Sequence, residues 1–227
     1  MDQESEIITL EKNTFVISMN DKRLEVFKKI FNHYNIPEPI LFNAATSRDG
    51  TKGCLLSHWA LYKIAETLNL PHIIIFEDDA FPRKDIIEYF NNAIACVPED
   101  WTFLKIEDLF YNKYVDIENV NDYWMKARSA TAGSGSAAYI VRDKAYTTLA
   151  KIIEKTEFDS RRFPIDFCFM QRHISDLGGY YISRKPMFLQ HNLHGAGGIH
   201  SHRMFKEKNI IFPPEDDNDN FEPHLFI

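Results

Sequence analysis

Short apolar runs alternate with amphipathic stretches at βαβ spacing, so the sequence predicts an α/β fold with a mostly parallel central sheet flanked by helices. Three observations carry that expectation. The run Ile73-Ile74-Ile75-Phe76 is solidly apolar, β-branched and aromatic, and Pro71 and Pro82 bound it, as suits a strand buried on both faces. The stretch 22–34 places Leu24, Phe27, Ile30 and Phe31 on one helical stripe. The 227 residues, 44% hydrophobic and 14% aromatic, suffice for one α/β domain with extensions.

In chain order, residues 1–13 read as a lead-in, 14–205 as a single domain and 206–227 as an acidic tail. Thr14 to Met19 is the first expected strand. Asn20-Asp21 supplies an N-cap for a helix over Lys22 to Tyr34, because a side-chain oxygen there satisfies free amides of the first turn. Pro37 and Pro39 punctuate before a strand at Ile40-Leu41-Phe42. A polar loop leads to a helix over Gly53 to Leu68, apolar nearly all round and so expected to be well buried. After the central strand come a helix over Asp85 to Cys96 and strands at Thr102 to Ile106 and Ala137 to Val141. A helix over Lys144 to Glu157 follows, then one over Asp166 to Leu177 that Gly178-Gly179 stops, then a strand at Tyr180 to Ser183. Residues 109–128 show no clear period, and the chain is loop-like from Gln190 onward.

A formal net charge of -7 disfavours broad nucleic-acid binding. Cys54, Cys96 and Cys168 are odd in number and far apart. They fit neither a disulfide framework nor zinc spacing, which points to a reducing compartment. The first residues lack an apolar core of signal-peptide length, and no run approaches the ~18 apolar residues of a membrane span. The expected location is therefore cytoplasmic, in a bacterium or in the host of a virus.

The central strand ends in Glu77-Asp78-Asp79. Three adjacent anions repel one another and need compensation. A hard divalent cation such as Mn²⁺ or Mg²⁺ suits carboxylate oxygens, and ligands of open α/β sheets sit beyond the carboxyl ends of strands. If the chain stays extended, Glu77 and Asp79 share one side and Asp78 faces the other. The competing reading is a solvated acidic turn that caps the helix beginning near Arg83. Upstream, Gly53 marks a loop-to-helix junction whose first turn attracts phosphate, with Ser57 and His58 one turn further in. For His58 alone, a buried histidine bonded to a backbone carbonyl is the competing reading. Gly133-Ser134-Gly135-Ser136-Ala137-Ala138 imitates a dinucleotide-binding glycine motif, but a β-prone Tyr-Ile-Val follows where that motif requires a helix.

The order Phe15-Val16-Ile17, Gly53-Cys54-Leu55-Leu56-Ser57-His58 and Glu77-Asp78-Asp79-Ala80 resembles glycosyltransferase family 25, which includes lipopolysaccharide and collagen galactosyltransferases. The resemblance spans about residues 14–190. It implies a GT-A type fold, a nucleotide-sugar donor and a Mn²⁺-dependent (or Mg²⁺-dependent) inverting transfer. The family's usual Asn-Leu-Asp-Arg is replaced here by Ser18-Met19-Asn20-Asp21, leaving Asn20 and Arg23 as the polar residues of that loop for nucleotide contacts. Ser57 and His58 join them, and Asp78 takes a ribose or sugar hydroxyl. Glu77 and Asp79 take the metal. A late histidine is a common further ligand in such enzymes, which singles out His191 and His194; no cysteine accompanies them, so a dedicated zinc site is not expected there. Gly195-Ala196-Gly197-Gly198 would let this loop fold over a nucleotide.

Sugar transfer also needs a base for the acceptor hydroxyl. Asp166 stands where the family tends to keep an acidic residue, with Glu107 and Asp108 as alternatives and helix capping as its competing role. The sequence thus predicts transfer of galactose or glucose from a UDP-sugar to a hydroxyl of a glycan, lipopolysaccharide or protein. The competing readings are a metal-dependent phosphotransferase or nucleotidyltransferase, and a non-catalytic sugar-nucleotide-binding module.

Overall fold

The computed structural model describes residues 7–107, 117–127, 135–158, 165 and 177–190. Its elements are β1 (Thr14–Ser18), α1 (Asp21–His33), β2 (Ile40–Asn43), α2 (Gly50–Thr67), β3 (His72–Glu77), β4 (Ala80–Pro82), α3 (Ile86–Ala95), β5 (Trp101–Lys105), β6 (Ile117–Asn119), β7 (Trp124–Ala127), β8 (Ala138–Arg142), α4 (Asp143–Lys155), β9 (Gly179–Ser183) and β10 (Phe188–Gln190). Eight strands form one sheet in the order β2-β1-β3-β8-β5-β9-β7-β6, and β10 pairs with β4 in a small ribbon. The α/β class expected from the sequence holds. The sheet is mixed, however. β1 runs parallel to β2 and β3, and β5 to β9, while β8 lies antiparallel between β3 and β5. The cause is local: β8 starts beside the end of β3, with Phe76 opposite Ala138, and so runs back along it.

Period-two alternation builds a core on each face of the sheet. Phe15, Ile17, Ile73 and Ile75 pack with Leu61 and Tyr62 of α2 and Leu149 and Ile153 of α4. Val16, Ile74 and Phe76 pack on the other face with Phe27 and Phe31 of α1 and Phe90 of α3. Ile73 through Phe76 are completely buried, as the apolar run predicts. Phe76 stands edge-on to Phe31 at 5.2 Å and lies 4.7 Å from Phe188, closing an aromatic cluster beneath the acidic turn.

α1 follows the sequence reading closely. Asn20 accepts from the amides of Lys22 and Arg23, and the buried stripe is Leu24, Phe27, Ile30 and Phe31. α2 does not. It begins at Gly50 with Asp49 as its N-cap, so Gly53 lies inside the helix rather than at its mouth. The Gly53 amide donates to Asp49 O at 3.1 Å, an ordinary helical bond. Glycine is required there because a Cβ would meet the Ala45 carbonyl oxygen at 2.5 Å. Nor is α2 buried all round, since Ile64 and Leu68 are exposed. The helix expected over 166–177 and the tail at 206–227 lie outside the described residues. Among the described residues, no helix is long and apolar enough to cross a membrane.

A buried ion pair ties the end of β5 to the entry of β8. Lys105 Nζ donates to Glu107 Oε1 at 2.7 Å and also to Gly135 O. Glu107 Oε2 accepts from the Ala137 amide at 2.7 Å. Gly135 has φ +107, and a Cβ there would press on the Glu107 carboxylate at 2.9 Å, so glycine serves both the backbone and the close approach. Glu107, an alternative base by sequence, is thus fully engaged and 2% exposed.

Phe76→Ala should lower unfolding free energy by about 3–5 kcal/mol, checked by denaturant titration, because it opens a cavity among rings that cannot collapse. Burial, with a contribution from Glu77, raises the Glu107 carboxyl to about 7. The folded chain then keeps a proton that the unfolded chain releases from its ordinary value of 4.5 upward. Stability should therefore fall as pH rises through that window. Melting temperature measured from pH 5 to 8 should decline more steeply in the native protein than in Glu107→Gln.

Candidate active site

β3 ends at Glu77, and the next two residues turn into β4. Extended geometry therefore stops one residue too early for Glu77 and Asp79 to share a side, which corrects the expectation drawn from strand alternation. Glu77 keeps the orientation of Ile73 and Ile75 and faces α2. There it accepts a hydrogen bond from Ser136 Oγ and lies 3.4 Å from His58 Nε2 and 4.0 Å from Cys54 Sγ. Asp78 faces α1. It accepts from Ser18 Oγ at 2.6 Å and pairs with Arg23. The turn swings Asp79 to the same side, 3.0 Å from the Arg23 guanidinium, and Gln190 Nε2 donates to it at 3.4 Å. The repulsion among three anions is thus relieved by dividing them between two neighbours, His58 and Arg23.

The three carboxyls differ accordingly. Burial opposes the charge of Glu77, but the His58 contact, the Ser136 hydroxyl and Arg23 together hold it below the usual carboxylate range. Burial pushes Asp78 up despite Ser18 and Arg23. Burial and then the charge of Glu77 push Asp79 up to about 7. Asp79 Oδ1 is buried and has no hydrogen-bond partner among the described residues. A carboxylate oxygen left without a partner, on a group that resists ionisation, is what a hard cation would satisfy.

Ser57 and His58 do not line a helix mouth as expected. Both are completely buried, two turns from the start of α2. Ser57 Oγ donates to Gly53 O and accepts from the Ala45 amide, both at 2.8 Å, which clamps the preceding loop onto the helix. His58 Nδ1 bonds the Tyr139 hydroxyl, which shares a 2.7 Å hydrogen bond with Tyr62. A first-turn phosphate site at Gly53 is therefore withdrawn. Asn20 spends its side-chain oxygen on capping α1, and that cap aims Arg23 at Asp78 and Asp79.

Asp166, His191 and His194 lie outside the described residues, as does Asp108. Gln190, the residue before His191, pairs with Ala80 in the β10–β4 ribbon and so brings the chain to Asp79. Sequence reasoning overlooked Ser18, Ser136 and Tyr139. The Gly135-Ser136 pair did stand out in the sequence, within the stretch that imitates a dinucleotide-binding glycine motif, and it delivers the hydroxyl that holds Glu77.

The model of glycosyltransferase family 25 (LPS biosynthesis protein) matches residues 43–188. That span includes the Gly-Cys-x-x-Ser-His helix and the acidic turn and ends at Phe188, the first residue of β10; β1 and α1 lie outside it. A crystal structure of a glycosyltransferase involved in the glycosylation of the major capsid of PBCV-1 superposes with TM-score 0.55 at 8% identity, covering 86% of this chain and 96% of that one. Crystallographic A197 from STIV gives TM-score 0.39 at 12% identity, covering 83% of this chain and 98% of that one. Curated protein sequences contain no match. The match covers more than half of the chain, with six of the eight strands of the main sheet and the acidic turn inside it, so the chain belongs to glycosyltransferase family 25.

Proposed function

We propose that this glycosyltransferase moves galactose or glucose from a UDP-sugar to an acceptor hydroxyl on a glycan, lipopolysaccharide or protein, with inversion and with the help of a divalent cation. The observation that carries the reading is the Asp79 carboxylate, buried, raised to about 7 and with Oδ1 unpartnered among the described residues. Asp79 would hold Mn²⁺ or Mg²⁺, and His191 or His194, just beyond Gln190 in the chain, would complete the site. When bound, such a cation neutralises a departing diphosphate.

The chain's own residues do the rest. Arg23 holds Asp78 and Asp79 in place and adds positive charge beside them. Ser18 orients Asp78, whose carboxylate would accept a hydrogen bond from a ribose or sugar hydroxyl. Asn20, by capping α1, fixes where Arg23 enters the site. Ser57 and His58 act from behind, clamping the Ala45 loop and holding Glu77. Asp166 would take the proton from the acceptor hydroxyl.

Thermal-shift measurement across a panel of nucleotide sugars should show stabilisation by one UDP-sugar that depends on Mn²⁺, as expected for a ligand that binds only the folded state. Turnover of that donor should release UDP and not UMP. Release of UMP would instead indicate a nucleotidyltransferase. Asp79→Asn should cut UDP release by about 100-fold, close to 3 kcal/mol of transition-state stabilisation, while leaving the fold intact by circular dichroism.

A further inference from the structure

Glu77 shares the acidic turn with Asp79 but sits among donors of a different kind. Cys54 and His58 are four residues apart on α2 and so occupy one face of the helix. Glu77 reaches that face from the end of β3. One donor atom from each residue, thiol, imidazole and carboxylate, lies within 4.8 Å of the others. The Glu77 Oε1 distances are 3.4 Å to His58 Nε2 and 4.0 Å to Cys54 Sγ.

We propose that Cys54, His58 and Glu77 form a cation site of their own, selective for a borderline ion of the Zn²⁺ class. Tetrahedral zinc has metal–ligand bonds of roughly 2.0–2.3 Å, which sets neighbouring donors about 3.3–3.8 Å apart. Two of the observed separations already fall in or near that range. The surroundings are built as metal sites are built. A ligating histidine has its second ring nitrogen fixed by a hydrogen bond that aims the first, and here the Tyr139 hydroxyl, itself bonded to Tyr62, fixes Nδ1. Ser136 holds the Glu77 carboxylate in turn. His58 is completely buried, so Nε2 is directed at Glu77 and Cys54 by packing as well as by bonding.

Donor chemistry decides the ion. Thiolate and imidazole favour Zn²⁺ or Co²⁺, whereas the oxygens around Asp79 suit Mn²⁺ and Mg²⁺. Binding replaces the Cys54 S–H bond with an S–metal bond and releases the proton to solvent. The bound ion also takes the place of the His58–Glu77 contact. Three protein ligands leave a fourth position, the composition of an open zinc site rather than a closed structural one. Cysteine spacing gave no sign of it, because the third ligand comes from another element. The proposal is independent of the sugar-transfer reading, since its test contains no nucleotide.

The test uses the full chain, reduced and stripped of metal by chelation, titrated with Co²⁺ and then Zn²⁺. The expected result is one Co²⁺ per chain with a thiolate-to-cobalt charge-transfer band, displaced by Zn²⁺ but not by Mn²⁺. Cys54→Ser should abolish the band, and the double variant Cys96→Ser, Cys168→Ser should keep it. Absence of the band, or its survival in Cys54→Ser, would overturn the proposal. X-ray absorption of Zn²⁺ bound to the native chain needs no variant. It should show one sulfur at about 2.3 Å among nitrogen and oxygen neighbours. A shell without sulfur would refute the site.

Discussion

Three carboxylates at the end of a fully buried strand are the constraint on which the rest of this structure depends. Left together they would repel strongly in a low-dielectric setting. The protein neither spreads them into solvent nor pairs them all with one cation. It ends β3 at the first carboxylate and turns at once, so Glu77 faces α2 and the two aspartates face α1. Each side then supplies its own compensation: His58 and Ser136 for Glu77, Arg23 and Ser18 for Asp78 and Asp79. Asp79 retains a buried oxygen, Oδ1, with no hydrogen-bond donor among the described residues.

That division requires support on both faces. On the α1 side, the Asn20 cap and the Phe27–Phe31–Phe76 cluster fix the height and angle at which Arg23 arrives. On the α2 side, the Ser57 clamp and the Tyr139–Tyr62 pair fix His58. Tyr139 lies on β8, whose antiparallel course also delivers Ser136 to Glu77 and Ala137 to Glu107. A single reversed strand therefore serves the site twice. In a sheet whose strands all ran parallel, residues 135–137 would not enter at the edge where β3 ends.

Much of this was legible in the sequence. The buried strand, the α1 stripe and its Asn20 cap follow from periodicity and capping chemistry alone, and the Gly-Cys-x-x-Ser-His and Glu-Asp-Asp-Ala pair carried the family. The failures are equally physical. Gly53 looked like a helix start because glycine often marks a junction, yet what demands glycine there is the Ala45 carbonyl pressing on it, a contact between segments that no local pattern reveals. Strand alternation correctly separates Glu77 from Asp78 but fails at Asp79, since the rule lapses where the strand does. The roles of Ser136 and Tyr139 depend on which strand β8 pairs with, and pairing partners are not written in a strand's own residues.

In the proposed reaction the Asp79 side of the acidic turn holds the cation that accompanies a nucleotide diphosphate. Electron paramagnetic resonance of Mn²⁺, titrated into the protein with and without UDP, tests it most directly. UDP should tighten Mn²⁺ binding in the native chain, and Asp79→Asn, folded normally, should bind neither the ion nor UDP with comparable strength. Equal binding of Mn²⁺ and UDP by the native chain and by Asp79→Asn would contradict it.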